Sequence, residues 1–155
     1  EGPLVLQLGG SDATALAAAA AGARGVSEIN INCGCPSIQS GGASYGAALM
    51  RSPSLVRELA DRCAEASPDT PISVKCRIGV HDTVGAHVHD SYDELAAFVD
   101  SVSCTGAIAH VVVHARAAVL AGLSPKKNRS VPPLRYDYVH RLACDFSNLR
   151  VTLNG

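Results

Sequence analysis

Residues 28–50 read EININCGCPSIQSGGASYGAALM, passing from an alternating apolar run into a glycine-rich loop with a cysteine at the junction. Ile29 and Ile31 alternate with Asn30 and Asn32, which is the period of a strand. Pro36 ends it, because a proline nitrogen has no hydrogen to give to a ladder. Cys35 is therefore expected at the carboxyl end of a strand. Similar units lie on either side. Upstream, residues 4–8 (LVLQL) form a short apolar run halted by Gly9-Gly10, with Ser11 or Asp12 capping an alanine-rich helix that ends at Gly22 or Gly25. Downstream, Ser52-Pro53 opens a helix through Leu55, Val56, Leu59 and Cys63, and residues 71–76 (PISVKC) make a third strand, left through Arg77-Ile78-Gly79. A capping box at Ser91-Tyr92-Asp93-Glu94 starts a helix carrying Leu95, Phe98, Val99 and Val102. Residues 109–114 are the next strand. A long connection over 117–133, a helix over 136–146 and a strand over 149–153 lead to Asn154-Gly155.

Strands alternating with helices imply βα units, right-handed crossovers and a parallel sheet. A doubly wound open sheet would satisfy the same pattern. A barrel is favoured because each strand carries a polar group at its carboxyl end: Gln7, Asn32 with Cys35, Lys75 with Arg77, His114 with Arg116, and Asn154. A barrel gathers such positions into one mouth, whereas an open sheet spreads them along a line. The expectation is an α/β fold, a partial (β/α)8 TIM barrel with about five of the eight βα units. Residues 1–155 are read as an internal fragment of a catalytic domain lacking its first strands and its last, with open sheet edges.

Composition narrows the partners. Of the 155 residues 47% are hydrophobic and 17% charged, and the formal charge of −1 gives no bulk attraction to nucleic acid or anionic membrane. A polyanion would have to meet a local patch, and Lys126, Lys127 and Arg129, with Arg135 nearby, make one. The six cysteines, Cys33, Cys35, Cys63, Cys76, Cys104 and Cys144, show no C-x-x-C pair; reduced thiols in an intracellular compartment fit them. The cytoplasm is the expected location, or an organelle if a transit peptide precedes this sequence. No apolar run reaches membrane-spanning length. His81, His87 and His89 suggest a metal cluster but are read as a solvated loop, so no metal is expected.

Seven collinear motifs then carry a resemblance: QLGGSD at Gln7 to Asp12, INxGCPS at Ile31 to Ser37, GAxLM at Gly46 to Met50, VKxRIG at Val74 to Gly79, HAR at His114 to Arg116, GLSPKxNRxxPPL at Gly122 to Leu134, and the final NG. Together they resemble the tRNA-dihydrouridine synthases, and the long sixth motif is similar to the branch acting near position 20 of the tRNA D-loop. The resemblance implies an FMN-dependent reduction of the uracil 5,6 double bond, hydride going from the flavin to C6 and a proton to C5, with NADPH restoring the flavin. It implies a monomer at full length, and a helical tRNA-gripping domain beyond the barrel.

Residue by residue, the GCP cysteine maps onto Cys35 as the acid; a thiol near pKa 8.5 is mostly protonated at neutral pH yet close to donating. Cys33 is read as packing. Lys75, ending an otherwise apolar strand, maps onto the lysine at the electron-rich edge of the flavin, and it needs an anionic partner if buried. Gln7 and His114 map onto further FMN contacts, and Asn154-Gly155 onto the start of the phosphate-cradling turn. Asn32 and Arg116 are candidates for reading the extruded uracil, and Lys126, Lys127 and Arg129 for meeting tRNA phosphates. Two departures concern tRNA affinity. Ile38-Gln39 stand where the family commonly has a basic residue, and Ala117-Ala118-Val119 follow HAR in place of a lysine and an aromatic. Two other readings stay open: a different FMN barrel of the dihydroorotate dehydrogenase or old yellow enzyme type, and a non-catalytic RNA-binding remnant.

Overall fold

The computed structural model describes residues 2–37, 45–85 and 90–155. Its elements are β1 (Val5–Leu8), α1 (Ala13–Gly22), β2 (Glu28–Cys33), α2 (Pro53–Ala66), β3 (Ile72–Arg77), β4 (Val80–His81), α3 (Tyr92–Ser103), β5 (Ile108–His114), β6 (Ala118–Val119), α4 (Tyr136–Asp145) and β7 (Arg150–Asn154), with 3-10 turns at Gly46–Arg51 and Lys127–Arg129.

Five strands form one sheet in the order β1-β2-β3-β5-β7, every pairing parallel. That order never reverses. A doubly wound sheet reverses at a switch point, so this one is an arc of barrel wall and the partial (β/α) barrel is the fold. The pleat explains the layering. Ile29, Ile31, Cys33, Ile72, Val74, Cys76, Val111 and Val113 alternate onto one face and are buried against Leu16 of α1, Val56 and Leu59 of α2, and Leu95 and Val99 of α3. The other face carries Gln7, Asn30, Asn32, Ser73, Lys75, His110, His114, Arg150 and Asn154. The apolar face anchors the helices, and the polar face is left to line the barrel interior.

Helix starts follow the sequence only in part. Asp12 is the cap of α1, its Oδ1 accepting from the Ala15 amide at 2.9 Å. Ser52 and Pro53 open α2 as expected, without a side-chain cap bond. The capping box at α3 is not made: Ser91 is the cap residue, yet its side chain holds no backbone amide. The first turn rests instead on Leu95 N to Ser91 O, 3.4 Å, and on Asp93 and Glu94 facing the positive end of the helix. The connection over 117–133 also holds more order than expected, since β6 pairs with β4 as a second, two-stranded sheet. His81, read as solvated, is mostly buried and sits 2.6 Å from Asp90 Oδ1. His87, His89, Ile38 and Gln39 lie outside the described residues. No group of metal-ligating side chains occurs among the described residues, and no helix among them is long and apolar enough to cross a membrane.

Candidate functional site

At the carboxyl ends of the strands lies a cavity of about 700 Å³. Eight residues singled out by sequence line it: Gln7, Asn32, Cys35, Lys75, His114, Arg129, Asn154 and Gly155; Gly34, Pro36, Arg77 and Pro125 complete the wall. Strand register brings them together, with Asn32 beside Lys75, Arg77 beside His114, and His114 beside Asn154. Arg116, Lys126 and Lys127 are not in the lining. Arg116 donates through Nη1 to the Pro132 carbonyl, and the two lysines point to solvent on the turn that carries Arg129.

Cys35 is held by its backbone. Its amide donates to Asn32 Oδ1 at 3.1 Å, alongside Gly34 N at 3.0 Å, so Asn32 closes the turn that ends β2. The Cys35 carbonyl accepts from Ala47 N at 2.7 Å. Gly46 makes this approach feasible: it has φ +65, and a Cβ there would lie 2.5 Å from the Cys35 oxygen. Cys33, two residues earlier, is fully buried on the opposite face, and burial pushes its thiol well up. It is packing, as expected.

Arg77 was read from the sequence as a polar group at the end of β3 and given no role in the site, yet it is a principal part of it. It is 4% exposed and donates to three carbonyls: Gly34 O at 3.1 Å, Asn128 O at 2.9 Å and Ala117 O at 3.3 Å. One guanidinium thus ties the cysteine turn to both later loops. Asn128 is a second residue missed. Fully buried, it takes the Val119 amide on Oδ1 at 2.8 Å and returns Nδ2 to the Val119 carbonyl at 2.9 Å, imitating a strand partner. Its place inside SPKKNR was the only trace of it in sequence.

Lys75 has no carboxylate partner among the described residues, contrary to the need raised for a buried ammonium. Burial, then the charge of Arg77, hold it below the ordinary lysine value, while the Cys76 and Cys35 thiols act the other way. Burial also pushes Arg77 down to about 10, where it remains charged at neutral pH. His114 is brought down to about 4 by burial, with Arg77 and Lys75 adding to the effect, so it is a neutral imidazole. Its Nδ1 lies 3.2 Å from Asn154 Oδ1, and Nε2 is buried with no hydrogen-bond partner among the described residues. Gly155, at φ +116, passes so close that a Cβ would lie 3.3 Å from the ring.

Among the described residues no aspartate or glutamate lines this cavity. Its walls are three cations, a neutral imidazole with an open acceptor, amides and one thiol. Such a site suits a planar heterocycle with an electron-rich edge, with a proton donor at its rim.

Comparison with known proteins identifies the family. The family model described as dihydrouridine synthase (Dus) matches residues 1–155. A protein of Xanthomonas axonopodis pv. citri named tRNA-dihydrouridine(20/20a) synthase is 54% identical over 158 residues, covering 100% of this chain and 45% of the relative. Proteins of the same name from Xylella fastidiosa (strain 9a5c) and Escherichia coli (strain K12) are 50% and 45% identical, each over 100% of this chain and 44% of the relative. The chain spans a little under half the length of these relatives.

Proposed function

The chain belongs to the dihydrouridine synthase family, and from that premise we propose that the protein carrying it reduces uridine to 5,6-dihydrouridine in the D-loop of tRNA. The observation that carries this reading is the position of Cys35, clamped by its backbone at the rim of a cavity rich in cations and, among the described residues, without carboxylates. FMN, when bound, would supply the hydride for C6 of the uracil, with NADPH restoring the reduced coenzyme. The residues present fit that group. The unpartnered His114 Nε2 and the amides of Gln7 and Asn154 offer polar contacts, the close pass of Gly155 leaves room for a flat ring or phosphate, and Lys75 offers charge to an electron-rich edge.

Cys35 Sγ would deliver the proton to C5 and recover it from solvent. Asn32 has its Oδ1 engaged by two backbone amides, so its NH2 is what it offers, a donor suited to a uracil carbonyl. Arg129 at the cavity edge, with Lys126 and Lys127 on the same exposed turn, would meet tRNA phosphates. Arg116, whose Nη1 is engaged with the Pro132 carbonyl, would read the base only through its remaining donors. We further take residues 1–155 as part of a TIM-barrel catalytic domain, and the whole protein as an intracellular monomer.

The full-length protein, purified, should show flavin absorbance and should restore dihydrouridine to tRNA from a synthase-deficient strain. Absence of bound flavin, or a flavoprotein that leaves that tRNA unchanged, would overturn the proposal.

A further inference from the structure

One row of the sheet is polar on every strand. Gln7, Asn30, Ser73, His110 and Arg150 are successive register partners across β1, β2, β3, β5 and β7, and equal register on parallel neighbours puts them on one face. Glu28, two residues before Asn30, reaches into this row from the amino-terminal end of β2. It is 6% exposed; Ser73 Oγ lies 2.6 Å from its Oε1, His110 Nδ1 lies 3.0 Å from its Oε2, and Arg150 Nη2 binds Oε2. Burial pushes the Glu28 carboxyl up, but bonds from Ser73 and His110 and the charges of His110 and Arg150 outweigh it and hold the group below its usual value.

An ionised carboxylate only accepts, and that dictates every bond beyond it. Ser73 must donate to Glu28, since the alternative acceptor, Ile29 O, is 3.4 Å away. A hydroxyl has one proton, so toward Asn30 the Ser73 oxygen can only accept, and it takes Asn30 Nδ2 at 2.8 Å. Asn30 then turns Oδ1 to its other side, where Gln7 Nε2 donates at 2.8 Å. The directions follow from chemistry, independently of how either amide is drawn. Without such a constraint an amide flips, and a site could meet either a donor or an acceptor.

We propose that Glu28 is a positioning residue for the candidate site: through Ser73 and Asn30 it fixes the Gln7 amide with its nitrogen turned to Asn30 and Oε1 presented to the cavity as an acceptor for a heterocyclic N–H. Only the identity of that heterocycle, a flavin, rests on the function proposed above. The relay stands on the four side chains alone.

The test uses the full-length protein freed of cofactor, with FMN affinity read from quenching of flavin fluorescence and Tm measured alongside. Ser73→Ala cuts the relay while leaving Glu28 with Arg150 and His110. It should weaken FMN binding about tenfold, the worth of one buried hydrogen bond, whereas Ser73→Thr, which keeps the hydroxyl, should stay within about twofold of wild type. Glu28→Gln, if it folds, supplies an amide that can reverse the chain and should match Ser73→Ala. A lowered Tm with unchanged FMN affinity in Ser73→Ala would reduce the row to scaffolding and overturn the proposal. If the wild-type protein binds no FMN, the function proposed above falls by itself, and the relay is judged by exchange of the Gln7 Nε2 protons in glutamine-labelled protein. Slower exchange in wild type than in Ser73→Ala upholds it; equal rates overturn it.

Discussion

Cys35 is fixed by bonds on both sides of its peptide unit, to Asn32 Oδ1 and from Ala47 N, so its sulfur can be changed without moving the turn. Cys35→Ala should therefore lower dihydrouridine formation by about 10²- to 10⁴-fold, the usual worth of a general acid, while flavin absorbance stays at the wild-type level. Equal turnover in the variant would remove Cys35 from the chemistry. His114 yields a prediction of different kind. Unfolded, a histidine titrates near 6.5, but here it is held at about 4 by burial and neighbouring cations. Between those values the unfolded chain binds more protons, so stability rises with pH. The contribution of His114 is complete above about pH 6.5 and is lost as pH falls toward 4. Urea midpoints across that window should slope less steeply in His114→Gln. Alternation placed His114 at the end of a strand and Cys35 just past one, while the roles given to them came from the resemblance to the family.

At the scale of elements, the cysteine turn and the basic turn each depend closely on one residue, Gly46 and Asn128. A Cβ at Gly46 would meet the Cys35 carbonyl at 2.5 Å, in a left-handed backbone conformation that disfavours any side chain. Gly46→Ala should cost about 1–3 kcal/mol in urea unfolding and reduce turnover without reducing tRNA affinity, because the displaced element is the cysteine turn. Asn128→Leu should cost about 2–4 kcal/mol, since the Val119 amide and carbonyl lose both partners inside the protein. It should also raise KM for tRNA, because Lys126, Lys127 and Arg129 ride on the freed turn. An unchanged KM would show that the turn keeps its place without Asn128. The elements themselves were largely legible: the strands show alternation and α2, α3 and α4 an apolar period of 3.6, while α1 was marked by its cap at Asp12, its run of alanines and the glycine that ends it. The two-residue strands β4 and β6 were not, because their partners lie far apart in sequence and two residues carry no period.

At the scale of the whole sheet, β1 and β7 are the edge strands among the described residues, and Leu4, Val5 and Leu153 are exposed there. Unpaired parallel edges with apolar side chains invite association. Residues 1–155 expressed alone should scatter light as oligomers at micromolar concentration, and Val5→Lys with Leu153→Lys should reduce that scattering; a monodisperse monomer from the unmodified segment would contradict the edge assignment. By itself the sequence determined the order of the elements, the parallel βα connectivity and the collection of polar residues at the strand ends, because periodicity and chain connectivity are local properties; it favoured a barrel over an open sheet, and the unreversed strand order decided between them. Only the tertiary structure decided that Arg77 bridges three loops, that Asn128 completes β6 and that Ser73 and Asn30 join Glu28 to Gln7 in one chain of hydrogen bonds. The acceptors of Arg77 lie 43, 40 and 51 residues away, and Ser73 lies 45 from Glu28. Hydrogen bonds over such separations form only once the sheet has set strand beside strand, so they leave no pattern in any short stretch of sequence.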